Sequence, residues 1–218
     1  VAACYDLAPA QGKTISLVYR STVDVNGQLS VTTHPENRVV GGLVAFEGHQ
    51  AIETLTTYMP VNSPSYTYKV YSLQTGPAEL TEYGSVSELV TGTVQSRSKS
   101  VYTPPFVQTL TAVPGDTKTI SFTAVTTNTL NGVSQAPTTT TLTTTGTFIG
   151  FEQVTIPAGT FNACRFEQQD SGPQNPATTR WVLLGHGIEL KASPPAFGGN
   201  GASVLELTTL LINGSVPQ

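Results

Sequence analysis

The sequence predicts an all-β protein, a single domain of curved antiparallel sheet that is half-barrel or sandwich-like, with little or no helix. Three observations support this prediction. Apolar and polar residues alternate along many short segments, as in strands that bury one face. Gly, Pro and Asn turn signals separate those segments. No stretch of about ten residues has the apolar stripe of an amphipathic helix.

Composition limits the size and the partners of this domain. The chain has 218 residues, a length at which β-sandwiches and barrels occur as single units. We expect an N-terminal segment at 1–12, a β core at 13–212 and a C-terminal tail at 213–218. Charged residues make up 11% of the chain and the net charge is −4 without a basic run. This argues against nucleic acid and against electrostatic attachment to anionic lipid.

The same composition favours a compartment outside the cytoplasm. No apolar run approaches the roughly 18–20 residues of a membrane span. No signal peptide is visible, so either one has been removed or the protein is cytosolic. We expect removal, and therefore a secreted or periplasmic protein. Low charge and Thr-rich strands are typical of extracellular proteins.

The first predicted hairpin is centred on Asn26-Gly27, the strongest short-range hairpin signal. Residues 13–25 alternate before it, and the partner strand follows. One bulge residue would place Val23 opposite Val31 and keep the apolar residues on one face, so we predict a bulge here. Further strands are predicted at 38–46, 51–58, 66–71, 79–90 and 94–102.

The second half of the chain continues the pattern. Residues 118–127 and 138–148 form a predicted hairpin around Asn131-Gly132. Loops are expected at 170–176 and 194–201, which are rich in Gly and Pro. The last strand, 203–212, carries apolar side chains on both faces and should therefore be covered on both.

The stretch from 150 to 191 has the clearest strand–turn–strand signal. Strands at 152–156 and 161–168 are joined through Pro157 and Gly159, which suit a turn. Alternation places Cys164 and Phe166 on one face of the second strand. A third strand at 179–184 turns at Gly185-His186-Gly187 into a fourth.

This stretch resembles a known pattern. Residues 154–161 match a Val-Thr-Val-Pro-Ala-Gly-Thr-Phe hairpin, and Trp181 with Gly185-His186-Gly187 matches a Trp strand that ends in Gly-x-Gly. The pattern is similar to that of uncharacterised secreted and periplasmic bacterial β-proteins, which are distantly similar to half-barrel lipoprotein carriers of the LolA/LolB type. The resemblance implies a strongly curved antiparallel sheet and implies no catalytic residues.

The two cysteines, Cys4 and Cys164, leave alternatives open. Val1-Ala2-Ala3-Cys4 is typical of a bacterial lipobox, in which the cysteine is lipidated and the preceding residues are removed. A disulfide between Cys4 and Cys164 is natural in an oxidising compartment, and we predict it. The remaining alternative is two unpaired buried thiols.

The sequence predicts no catalytic, cofactor or metal site. His34, His49 and His186 are isolated and have no metal-ligand spacing. Aromatic side chains are the candidates for either a core or the floor of a ligand groove. They are Tyr66, Tyr68, Tyr71, Phe166 and Trp181.

We therefore expect a non-enzymatic secreted protein whose partner is itself. Few charged residues protect the strand edges, and 138–145 is a long uncharged β-prone segment. These features favour a structural subunit that assembles into an extracellular filament or matrix by β-strand addition. The alternative is a secreted or periplasmic binding module that holds an apolar ligand in a half-barrel.

Overall fold

The computed structural model describes residues 4–6, 9–25, 27–60, 64–109, 113–170, 177–193 and 203–217. Four of the sequence-based expectations concern residues that lie wholly or partly outside these ranges. They involve Val1 to Ala3, Asn26, the loop at 170–176 and the loop at 194–201.

The described chain forms thirteen strands. They are β1 (Thr14–Val25), β2 (Gln28–Phe46), β3 (His49–Tyr58), β4 (Tyr66–Gly76), β5 (Glu79–Thr91), β6 (Val94–Thr109), β7 (Thr117–Leu130), β8 (Val133–Ser134), β9 (Thr138–Ile156), β10 (Gly159–Asp170), β11 (Thr178–Leu183), β12 (Glu189–Ser193) and β13 (Ser203–Ile212). The predicted all-β class is confirmed.

The strands close into a barrel. In spatial order they run β6-β5-β4-β3-β2-β1-β13-β12-β11-β10-β9-β7, and an additional antiparallel pairing of β6 with β7 joins the two ends. The two-residue strand β8 pairs with β7 outside this twelve-stranded ring. The sheet is thus more strongly curved than in the predicted half-barrel and closes completely, because every strand of the ring has a partner on both sides.

Alternation along the strands separates an inner face, which lines the barrel, from an outer face. On β10 and β11, Cys164 pairs with Val182 on the inner face. The neighbouring pair, Arg165 and Trp181, lies on the outer face. The predicted placement of Cys164 and Phe166 on one face is confirmed.

The largest core cluster joins β1, β13 and the β9–β10 hairpin. The Ala158 N–H, at the tip of that hairpin, donates to the Leu207 carbonyl at 3.2 Å. The buried members are Ile15, Leu17, Tyr19, Ile156, Phe161, Ala163, Leu183, Ile188, Leu190, Leu207 and Leu210. Strand β13 is therefore covered within its own chain.

A separate cluster of Phe46, Ala51, Tyr71 and Val86 lies on the outer face of β2 to β5. The Phe46 and Tyr71 rings stack with centroids 4.1 Å apart. Gly84 lies beside this stack. A Cβ atom there would be 2.2 Å from the Ser100 carbonyl oxygen and 2.8 Å from Phe46 Cε1, so only glycine fits.

The predicted bulge in the first hairpin is wrong. Val23 pairs with Ser30, as in a strict two-residue turn. Gly27 takes a φ of +80°, and its N–H donates to Asp24 Oδ1 at 2.8 Å. Leu29 and Val31 consequently lie on the outer face, 70% and 57% exposed. Because these two side chains stay exposed, burial contributes little to the register here, and turn geometry sets it.

Both chain ends are held by the chain itself. Cys4 and Cys164 form the predicted disulfide, with an S–S distance of 2.14 Å and a sequence separation of 160. At the other end, the Asn213 N–H donates to the Thr14 carbonyl at 2.8 Å. The Thr14 N–H donates to Asn213 Oδ1 at 2.9 Å.

Candidate ligand-binding cavity

A cavity of about 260 Å³ lies inside the barrel. Its walls are the inner faces of β6, β7 and β9 to β12, together with Tyr5 of the N-terminal segment. Its volume is close to the lower limit of about 300 Å³ for ligand pockets, so the space suits a small molecule.

Aromatic rings form the floor of this cavity. The Phe148 and Phe166 centroids are 5.2 Å apart, and the Tyr5 centroid is 6.2 Å from Phe166. Phe106 faces the cavity from β6 and packs edge-on against Phe122 at 5.4 Å. Phe148 is fully buried, so the floor is anchored in the core.

A positioned arginine forms the polar side of the cavity. Arg180 lies on the inner face of β11, where its Nε donates to the Glu189 carboxylate. Its Nη1 donates to Gln168 Oε1 at 2.7 Å. The Tyr19 hydroxyl in turn donates to the Glu189 carbonyl at 2.9 Å. These bonds fix the guanidinium, and Glu189 balances its charge.

Exposed side chains mark the edge at which the cavity meets solvent. Lys118 Nζ donates to Thr109 Oγ1 at 2.6 Å. Asp116 Oδ2 accepts a hydrogen bond from the Val113 N–H at 2.9 Å. This edge carries one positive and one negative group, so the lining as a whole has no strong net charge.

The disulfide places the aromatic ring of Tyr5 in the cavity. Cys164 is fully buried on the inner face of β10, and the Cys4 carbonyl accepts the Gly187 N–H at 3.1 Å. Tyr5 follows directly and is held by a hydrogen bond with the Gln108 side chain. Burial raises the pKa of the Tyr5 phenol. The N-terminal segment is therefore part of the cavity wall.

A second polar group lies on the other side of Phe106. Glu82 is the register partner of Phe106 across β5 and β6. Burial is the main influence on the Glu82 carboxyl, and it raises the pKa to about 7 even though hydrogen bonding with Tyr102 acts to lower the pKa. Tyr102 also lies 3.3 Å from the Ser85 hydroxyl. The barrel interior thus holds a half-buried carboxyl beside the cavity.

Two other glutamates lie on the inner face, and each has an arginine partner. Arg38 Nε donates to Glu36 Oε1 at 3.0 Å, and Glu189 is paired with Arg180. Among the residues that the structure describes, Glu82 makes no salt bridge. Within those ranges, Glu82 is therefore the inner-face glutamate whose charge lacks a nearby cation.

The aromatic residues predicted as core or groove do not form one surface. Tyr66 lies on the inner face and stacks on Tyr58 at 4.5 Å, and Tyr68 is half-buried on the same face. Tyr71 lies on the opposite, outer face, in the cluster with Phe46. Strand alternation places residues 66 and 71 on different sides, so a shared groove is excluded.

Of the other two predicted aromatics, one lines the cavity and one does not. Phe166 lies in the aromatic floor. Trp181 is half-buried on the outer face and packs against the largest core cluster. Its ring centre is 5.7 Å from both the Arg165 guanidinium and the Lys191 ammonium, and its Nε1 donates to the Glu152 carboxylate. Trp181 is therefore removed from the cavity.

The three histidines lie apart from each other. His34 Nε2 is 3.0 Å from Thr32 Oγ1, and His49 stacks on Tyr83 at 4.3 Å. His186 forms the predicted turn, where burial lowers its pKa. Within the described ranges, no group of three or more His, Cys, Asp or Glu side chains is placed to hold a metal ion.

None of the described residues belongs to a helix that could cross a membrane.

Sequence reasoning did not identify Tyr5, Arg180 or Glu82 as site residues. Arg180 had a local signal, because it shares a strand face with Val182, which is buried. Glu82 had no such signal, because β5 also carries Glu79 and Glu88. Tyr5 had none, since only the disulfide places it in the barrel.

Comparison with known proteins gives a fold likeness only. No family model and no curated protein matches the chain. An exported-protein candidate from Bacteroides fragilis with a YmcC-like fold is similar, with 10% identity, a TM-score of 0.47, and 97% of this chain and 100% of that one covered. A lipoprotein candidate from Parabacteroides distasonis is also similar, with 11% identity and a TM-score of 0.47. The match covers 96% of this chain and 99% of that one.

A third similar structure is a β-barrel-like protein from Brucella abortus, whose domain has no known function. It gives 9% identity and a TM-score of 0.41, with 94% of this chain and 99% of that one covered. At these values no activity, ligand or partner carries over to this chain.

Proposed function

We propose that this protein is a secreted or periplasmic binding module that holds a small amphipathic ligand inside the barrel and catalyses no reaction. The observation that carries the proposal is the cavity itself. An aromatic floor lies opposite a fixed polar group, which is the usual composition of a ligand pocket.

The aromatic floor supplies affinity for an apolar group. Removing apolar surface from water stabilises a complex by about 25 cal/mol per Å². Phe148 and Phe166 are already held by core packing, so little further ordering is needed when a ligand arrives. This preorganisation reduces the entropic cost of binding.

The disulfide supports the proposed compartment. Disulfides persist in secreted and periplasmic proteins and are rare in the cytosol. The Cys4–Cys164 bond also fixes Tyr5 against Phe166, so oxidation completes the cavity wall. Both roles fit a protein that works outside the cytoplasm.

Filling the cavity from within tests the proposal. Gly146 lines the cavity, and a Cβ added there meets no atom within 4 Å. Gly146→Leu should therefore fold normally and occupy the ligand space. We expect octanol binding, measured by isothermal titration calorimetry, to weaken at least tenfold, about 1.4 kcal/mol.

The matched control is Thr145→Leu, the neighbouring residue on the outer face of the same strand. It adds the same side chain outside the barrel and should leave octanol affinity unchanged. Equal octanol affinity in wild type and Gly146→Leu, or no binding by wild type, would contradict the proposal.

Self-assembly by strand addition is not adopted as the function. The sequence favoured it through strand edges with few charged residues and through the long uncharged segment 138–145. The ring instead closes between β6 and β7, and the described residues of both termini pair within the chain. The features that favoured a filament are therefore used inside one molecule.

A further inference from the structure

Of the three glutamates on the inner face, one carries a charge that has no cationic partner among the described residues. Glu36 and Glu189 each have an arginine at hydrogen-bonding distance. Glu82 is half-buried, and the Tyr102 hydroxyl is the polar group that lowers its pKa. A carboxylate in this position is desolvated and lacks the compensation that the other two have.

An irregularity in the sheet shapes the space around this carboxyl. Between the register pairs Glu82–Phe106 and Gly84–Val101, β6 has four residues where β5 has one. This bulge places Tyr102 and Phe106 on either side of Glu82. Bulges of this kind re-aim side chains and are frequent beside functional sites.

Three aromatic rings are in contact on this part of the inner face. The Tyr102 and Phe122 centroids are 4.9 Å apart, and Phe106 meets Phe122 edge-on at 5.4 Å. Aromatic faces attract organic cations, most strongly where water is excluded. A carboxylate beside such rings is a suitable environment for an ammonium group.

Phe106 connects this environment to the cavity. Phe106 lines the cavity, and it pairs with Glu82 across the β5–β6 ladder. Directly paired residues on one sheet face have Cβ atoms about 5 Å apart. A ligand whose apolar part lies on the aromatic floor can therefore extend a polar end toward Glu82.

We propose that Glu82, Tyr102 and Phe106 form a subsite for the ammonium group of an amphipathic amine whose apolar part fills the cavity. This inference rests on the proposed binding function and adds the chemical class of the ligand. The ammonium group supplies the counter-charge that Glu82 lacks, and Tyr102 orients the carboxylate.

The ionisation of Glu82 makes the binding pH-dependent. The carboxyl pKa of about 7 means that Glu82 is charged only toward alkaline pH. The titratable groups that face this region are the phenols of Tyr102 and Tyr68, and burial raises the Tyr102 pKa further above its ordinary value. An aliphatic amine stays protonated through this range, so its affinity should rise as the pH passes through 7.

The test compares three probes of equal chain length, octylamine, octanol and octanoate, by isothermal titration calorimetry on the oxidised protein. Above the Glu82 pKa, we expect octylamine to bind at least tenfold tighter than octanol, and octanoate to bind more weakly. Below that pKa, the preference for octylamine should disappear.

Two variants separate the subsite from general binding. Glu82→Gln keeps the shape but removes the charge, so octylamine affinity should fall to that of octanol at every pH while octanol affinity stays unchanged. Glu167→Gln removes an exposed charge on the outer face of β10 and should change neither. Unchanged octanol binding also shows that Glu82→Gln is folded.

The outcomes distinguish the two proposals. Octanol binding without an octylamine preference, or an octylamine preference that survives in Glu82→Gln, overturns the ammonium subsite and leaves the binding function intact. If octanol does not bind to wild type, the binding function itself is wrong, and the subsite that rests on it fails with it.

Discussion

Replacing Glu82 by glutamine should change how the stability of this protein depends on pH. The folded state raises the pKa of this carboxyl from its ordinary value of 4.5 to about 7, chiefly by burial. A group whose pKa is higher in the folded state binds a proton more tightly there. Its contribution to stability is therefore complete below about pH 4.5 and is lost as the pH rises through 7.

The expected magnitude follows from the size of that pKa shift. A shift from 4.5 to about 7, at about 1.4 kcal/mol per unit, corresponds to roughly 3 kcal/mol as an upper value. Glutamine is neutral at every pH and can still accept the Tyr102 hydrogen bond. We therefore expect Glu82→Gln to be up to about 3 kcal/mol more stable than wild type above pH 7. Below about pH 4.5 the two proteins should be equally stable.

Urea unfolding at a series of pH values, with the disulfide intact and followed by Trp181 fluorescence, measures this difference. Glu167→Gln, which removes an exposed outer charge, is the matched control and should give a curve parallel to wild type. The reasoning is refuted if the curves of wild type and Glu82→Gln stay parallel between pH 4 and 8, because Glu82 would then titrate alike in both states.

Two further predictions concern the disulfide and Gly84. Reducing the Cys4–Cys164 bond opens a loop of 160 residues, so the free energy of unfolding should fall by up to roughly 5 kcal/mol; equal urea midpoints with and without reductant would contradict this. Gly84→Ala should destabilise by about 1–3 kcal/mol or more, because the added methyl group meets a backbone oxygen and the Phe46 ring. The control in guanidinium unfolding is Gly146→Ala, whose Cβ meets no atom within 4 Å. A destabilisation by Gly84→Ala of less than about 0.5 kcal/mol would show that the sheet adjusts to the added methyl group, and would contradict this prediction.

Local chemistry in the sequence was enough to determine the strands and much of their orientation. Alternation placed Cys164 and Phe166 on one face because successive side chains of a strand point to opposite sides. The turn at Gly185-His186-Gly187 was predictable because glycine adopts the positive φ values found there, 77° and 67°. The disulfide followed from two cysteines and the expected compartment.

Register and closure depended on contacts that the sequence does not display. At the first hairpin, alternation favoured a bulge that keeps the apolar residues on one face, but the strand pairs without it and Leu29 stays exposed. Closure pairs β6 with β7 and β1 with β13. The second pairing joins the two ends of the chain, and alternation is equally satisfied by an open sheet and a closed one.

The candidate site was decided by tertiary structure for the same reason. Tyr5, Phe106 and Arg180 are far apart in sequence and meet only because the barrel closes. Glu82 looks like an ordinary strand charge until the pairing of β5 with the bulged β6 places it beside Phe106. The sequence thus determined which residues of a regular strand share a face, because that depends on neighbours along one strand. Tertiary structure alone decided which inward residues face one another, because that depends on the packing of the whole ring.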